Sequence, residues 1–212
     1  MGRRLIVMSL LAAGLGLGVI IDRIAIIVGN SIIKDSDIDR DIRATDFLNG
    51  KPLNLRASER KAAADRLINQ AIIRREIRIG DYPRATFQEA DQQLEKLEKQ
   101  RFKSQAAFEA ALNRYGLTLL DLRTEFRWQL TVLRFVDQRF KPAVLVTDQQ
   151  VNDYFRQHEA ALRREHPGES NENLHNVARD IMTGEQVNKL FFDWLDQQRK
   201  DAKIQYLEES VR

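Results

Sequence analysis

The chain has 212 residues, of which 43% are hydrophobic and 31% charged, and it contains no cysteine. That much apolar material excludes a wholly disordered chain, and the lack of thiols excludes disulfide scaffolds and cysteine nucleophiles. The net charge of +3 falls to +1 once Arg3 and Arg4 are set aside, which argues against nucleic acid as a partner, since binding a phosphate backbone requires a concentrated positive field.

Arg3 and Arg4 precede an apolar run from Leu5 to Ile21, the charged-then-hydrophobic order of an export signal. Small residues at Ala12-Ala13-Gly14 and Gly16-Leu17-Gly18 suit cleavage, so residues 1–18 are read as a signal peptide. The alternative is a retained anchor reaching Ile21, but the run is short of the roughly 20 residues that span a bilayer. The chain would touch a membrane only through this segment.

Between Ile21 and Ile38, β-branched runs ending at Val28 and starting at Ser31 flank Gly29-Asn30, the signature of a tight hairpin that runs into a capped helix. An isolated hairpin is marginal in water and needs a third strand or a helix against it. Ala202 to Leu207, where Ala202, Ile204 and Tyr206 alternate with Lys203 and Gln205, is the other convincing strand. The two ends of the mature chain are therefore expected to meet in one small sheet.

Everything between is expected to be helical. Asp35 or Ser36 is positioned to cap a helix to Phe47, and Ser58 to cap a long one carrying Ala64, Leu67, Ile68, Ala71 and Ile72. Thr86-x-x-Glu89 and Thr147-x-x-Gln150 read as capping boxes that open two more helices, and Thr118-Leu119-Leu120-Asp121 begins another. Ser104 opens a short helix that Gly116 closes, and a last long helix runs from about Asn173 to Lys200 before the final strand. The fold class is mainly α, with six or seven helices and three short strands, and residues 19–212 read as one domain closed by the segment 173–207.

The helix from Thr118 to Phe140 is the most apolar. Leu119, Leu122, Phe126, Leu130, Leu133, Val136 and Phe140 recur at threes and fours and are expected to form its core stripe. Trp128, Val132 and Phe135 lie on another side. A helix apolar on two faces is either covered twice or keeps one face available to a partner.

Chemistry is sparse. His158, His166 and His175 have no second ligand at metal-binding spacing, and Gly14-x-Gly16 has no strand and helix around it to hold phosphate. Acid pairs such as Asp35 with Asp37 are what helix surfaces carry by default. No catalytic residue, metal ligand or cofactor site is expected. Arg74, Arg75 and Arg78 form a local basic cluster that the near-neutral overall charge leaves without a nucleic-acid reading.

The run from Ile21 to Ile33 followed by Ser36-Asp37-Ile38 resembles the opening of the SurA-like periplasmic chaperones. Arg66 to Ile73 resembles the family's second conserved helix, and Val146 to Phe155 the segment leading out of its N-terminal domain. In that family a parvulin prolyl isomerase domain follows the Val-Thr-Asp helix. Here only His166 to Ser170 separate that helix from the closing one, too few residues for such a domain. The resemblance thus implies the chaperone module without the isomerase: an ATP-independent, periplasmic holder of unfolded exported or outer-membrane proteins. Phe102, Trp128, Val132, Phe135, Phe140 and Trp194 are the side chains expected to line its apolar cradle. An exported adaptor with one specific partner, or a homodimer joined through the same face, is the alternative.

Overall fold

A computed structural model describes residues 22–211; the signal-peptide expectation falls on residues outside that range. Strands β1 (Ile24–Val28) and β2 (Ser31–Lys34) form the hairpin, and Gly29, at φ +56°, supplies the left-handed turn residue. Strand β3 (Ile204–Tyr206) adds to the other edge of β1, giving an antiparallel sheet in the order β2-β1-β3. Pairing is extended by Gly29 N–H to the Lys203 carbonyl at 2.9 Å and Leu207 N–H to that of Ala25 at 2.8 Å. The register shifts between Ile24 and Ile26, and a bulge of this kind explains why Ala25 and Ile26, neighbours in sequence, are both fully buried.

Seven helices make up the rest: α1 (Asp35–Leu48), α2 (Ala57–Ile79), α3 (Phe87–Arg101), α4 (Gln105–Tyr115), α5 (Leu119–Phe140), α6 (Asp148–Glu165) and α7 (Asn171–Asp201). The capping boxes expected at Thr86 and Thr147 are present, Thr118 opens α5 with a third, and Ser104 caps α4. Two starts differ. Helix α2 begins at Ala57 after Arg56 rather than from Ser58. For α1 the local Asp37 carboxylate accepts Lys34 N–H at 3.0 Å, and a second cap comes from a distance: the Asp22 carboxylate accepts Ser36 N–H at 3.2 Å and Ser36 Oγ–H at 2.7 Å. Local spacing cannot reveal that arrangement, because the hairpin folds back to bring residues 22 and 36 together.

Helices α1 and α2 are pinned to each other by charge as well as by packing. Arg60 reaches both Asp35 and Asp39, and Arg66 binds Asp41 at 2.5 Å. The main core gathers Ile26, Ile38, Ile68, Ile72, Phe135 and Val211 between the sheet, α2, α5 and α7. A second cluster holds Phe47, Phe108, Leu112 and Leu122 where α1, α4 and α5 meet. The third lies between α6 and the first half of α7, around Val151, Phe155, Leu162 and Leu174. At about 1.5 Å per residue, the 31 residues of α7 are long enough to serve the third cluster with one half and the main core with the other. Residues 166–170 join α6 directly to α7.

The stripes of α5 are corrected by the fold. Leu119 and Leu133, expected in the core, are 49% and 61% exposed, whereas Phe135 is fully buried and Trp128 nearly so. Helix α5 serves two clusters in succession: Leu122 and Phe126 pack in the second, then Trp128, Val132, Phe135 and Phe140 in the first. Its buried face changes where its neighbours change.

Candidate functional site

Five of the six expected cradle residues gather in the main core cluster. Phe135 lies edge-on to Tyr82 at 5.0 Å between ring centres, and Trp194 packs 5.4 Å from Phe135 and 5.7 Å from Phe140. These contacts join the C-terminal half of α5 to α7. Phe102 belongs elsewhere, stacked 6.0 Å from Phe47 in the second cluster. Phe135, Phe140 and Trp128 are at most 9% exposed. The expectation that these three stand open in a cradle is therefore corrected: large rings gain most from being taken out of water, and neighbouring helices are at hand to cover them.

An apolar surface does remain open beside them. Between α2, α5 and α7 runs a groove of about 490 Å³ lined by Ile73, Trp128, Val132, Leu133, Phe191 and Leu195. Arg66, Asn69, Gln70 and Gln129 form its polar rim. Val132 and Trp128 thus keep a place at the groove, while Leu133 is the side chain that sequence reading assigned to the wrong environment. A signal was available: one turn either side of Leu133 stand Gln129 and Asp137, both exposed, whereas Trp128 is flanked by the buried Thr131.

A second cleft, of about 720 Å³ and with mixed polar and apolar lining, lies between β2, α1, α2 and α5. Two of its carboxylates are shifted. Burial raises the Asp41 pKa, and the Arg66 guanidinium beside it only partly offsets this. Burial likewise raises that of Glu125, whose Oε1 accepts Gln129 Nε2–H at 2.9 Å. Exposed acids shift the other way. Hydrogen bonds from Ser36 hold Asp22 below its usual range, and the Thr86 backbone does the same for Glu89.

His158 and His175 contact backbone carbonyls one turn back, at 2.9 and 2.7 Å, and stack on Tyr154 and Phe155. Among the described residues no group of three or more potential ligands is placed to hold a metal ion, and no helix is long and apolar enough to cross a membrane.

Over 139 residues, 63% of its length, the chain is 28% identical to the chaperone SurA of Pseudomonas aeruginosa. It is similar to a chaperone. The match covers 33% of that protein, so the chain spans about a third of the relative's length, and no family model matches. What the chain and SurA share is a distant similarity, which agrees with the resemblance seen in the hairpin and the two helical segments.

Proposed function

We propose that this protein is an exported, ATP-independent chaperone that holds unfolded envelope polypeptides in the groove between α2, α5 and α7. The similarity to SurA carries the reading, and the groove supplies a physical means. An unfolded chain presents apolar side chains in no fixed order, so its holder needs a water-exposed apolar trough with polar edges. Leu133, 61% exposed in such a trough, is the main client contact; Val132 and Trp128 support it. Phe135, Phe140 and Trp194 belong to the core cluster that also holds Trp128, Phe191 and Leu195 of the groove. Release follows from weak binding and client folding, and the direct α6–α7 connection supports a module without prolyl isomerase activity.

The test is suppression of aggregation of several unrelated unfolded envelope proteins at near-stoichiometric amounts. Leu133→Asp is expected to lose most of the protection while keeping the parent's helical circular dichroism and melting temperature, since the position is exposed. Leu145→Asp, at an 81% exposed position outside the groove, is expected to change nothing. Protection of a single client would favour the adaptor reading; no protection of any would remove the chaperone one. A proline-peptide assay is expected to show only the uncatalysed rate.

A further inference from the structure

Four arginines converge on one small pocket. Arg74 and Arg78 from α2, Arg84 from the α2–α3 connection and Arg127 from α5 line a hollow of about 230 Å³ that contains no carboxylate. Three acids nearby are engaged by other arginines: Asp91 holds Arg123 through two bonds of 2.5 and 2.8 Å, Glu89 holds Arg134, and Glu76 holds Arg139 at 2.7 Å; Glu125 acts on Arg74 without an ion pair, and Asp81 stands on the exposed turn between Arg78 and Arg84 without lining the hollow. None of the four pocket arginines makes an ion pair among the described residues. Like charges gathered without an acid repel one another, so a fold that keeps them together leaves a site of strong positive potential.

Two of the guanidiniums are held in place by rings rather than acids. Arg74 lies 3.9 Å from the centre of the Trp128 ring and Arg127 lies 4.2 Å from that of Phe87. Such stacking restrains the planar fork and leaves N–H donors at its edge; one of those of Arg74 goes to Gln70 Oε1 at 3.3 Å. Desolvation lowers the Arg74 pKa, Arg127 and Arg84 adding to this and Glu125 opposing it. Thr124, which also lines the hollow, adds a hydroxyl.

We propose that this pocket binds a phosphate group, either free phosphate or a phosphomonoester headgroup of a lipid, held by Arg74, Arg78, Arg84 and Arg127. Several forks around one hollow match the peripheral oxygens of a tetrahedral dianion, whereas a carboxylate offers two oxygens and one charge. The site shares Trp128 with the groove, and it stands whether or not the protein is a chaperone.

Calorimetric titration of the full chain with inorganic phosphate tests it, with sodium acetate as the competing anion at matched ionic strength. Saturable binding of phosphate, and acetate at least tenfold weaker, is the expected result, about the difference one good charge-assisted hydrogen bond makes. Arg84→Gln and Arg127→Gln are each expected to weaken binding roughly tenfold. Arg84→Lys and Arg127→Lys, which keep charge but lose the fork, are expected to fall between. Arg164→Gln, on α6, is the control. Circular dichroism melts of every variant confirm folding. Flotation with phosphatidylcholine vesicles containing phosphatidic acid separates the two sources: co-flotation lost in the glutamine variants assigns a lipid headgroup, and no co-flotation assigns a soluble phosphate. Acetate binding as tightly as phosphate, phosphate binding unchanged in folded glutamine variants, or no saturable binding would each overturn the proposal.

Discussion

Glu125 shows how a single side chain can be useful to a fold and costly to it at once. Its carboxylate accepts a hydrogen bond from Gln129, yet burial raises its pKa above the ordinary 4.5. A carboxyl whose pKa is higher in the folded than in the unfolded state disfavours folding while ionised, and that penalty disappears as the pH falls. Glu125→Gln, which keeps an acceptor for Gln129, is therefore expected to melt at a higher temperature than the parent at neutral pH. The gain should shrink as the pH drops through the raised value toward 4.5, where both side chains are neutral. Melting curves across that range check it; a gain that grew toward acid pH would contradict the sign. Asp41 on the same cleft contributes in the same direction, although Arg66 limits its shift. Such shifts could not be read from the chain. Glu125 sits among polar residues in sequence, and its burial comes from α2 closing over it.

Among the elements, α7 carries the most unusual load. Leu174 and Ala178 belong to the cluster with α6, while Val187, Phe191 and Leu195 belong to the main core. Gly184 falls between the two sets. A methyl group there would meet nothing within 4 Å, and the backbone has no positive φ that would require glycine. Just before it, Thr183 Oγ1–H bonds back to the Arg179 carbonyl at 2.7 Å, a contact that slightly weakens helices. Gly184→Ala is expected to stabilise the protein by about 1 kcal/mol, read as a shift in the denaturant midpoint. A neutral or destabilising result would mean that the glycine serves a conformation other than this straight helix. Most helices were legible in advance because caps and turn residues act locally: Thr86, Thr118 and Thr147 each bond the third residue onward, and Gly116 takes φ +63° after α4. Of the two starts that differ, α1 draws on a distant partner, Asp22, and α2 begins after Arg56 with no side-chain cap.

For the molecule as a whole, stability depends on joining the two ends of the described chain. Strand β3 pairs Ile204 with Val28 and Tyr206 with Ile26, and Val211, 1% exposed, packs into the same core. Removing residues 202–212 is expected to cost on the order of 3 kcal/mol or more, since two large apolar side chains and Val211 lose their burial and β1 becomes an open edge. Chemical denaturation of the truncated protein checks this, and an unchanged midpoint would mean that the sheet is decorative. The same truncation should also loosen α7 against α2, whose contact Arg199 anchors through Asp65 at 2.5 Å and Asn69 at 2.9 Å.

Hairpin, helical body and closing strand were all present in the order of residues, because turn chemistry, capping and apolar period are short-range properties of neighbouring side chains. The composition also pointed away from thiol chemistry and disulfides. Which apolar side chains would be covered was a different matter. Trp128 and Phe135 looked available and became core, Leu133 looked like core and became groove wall, and Phe102 joined a cluster remote from the others. Likewise, Arg74 and Arg78 are near neighbours in sequence, but Arg84 and Arg127 reach their pocket only by the packing of α5 against α2 and the turn that follows it. Burial is a property of what lies opposite a residue, and what lies opposite is set by helices that meet across scores of intervening positions.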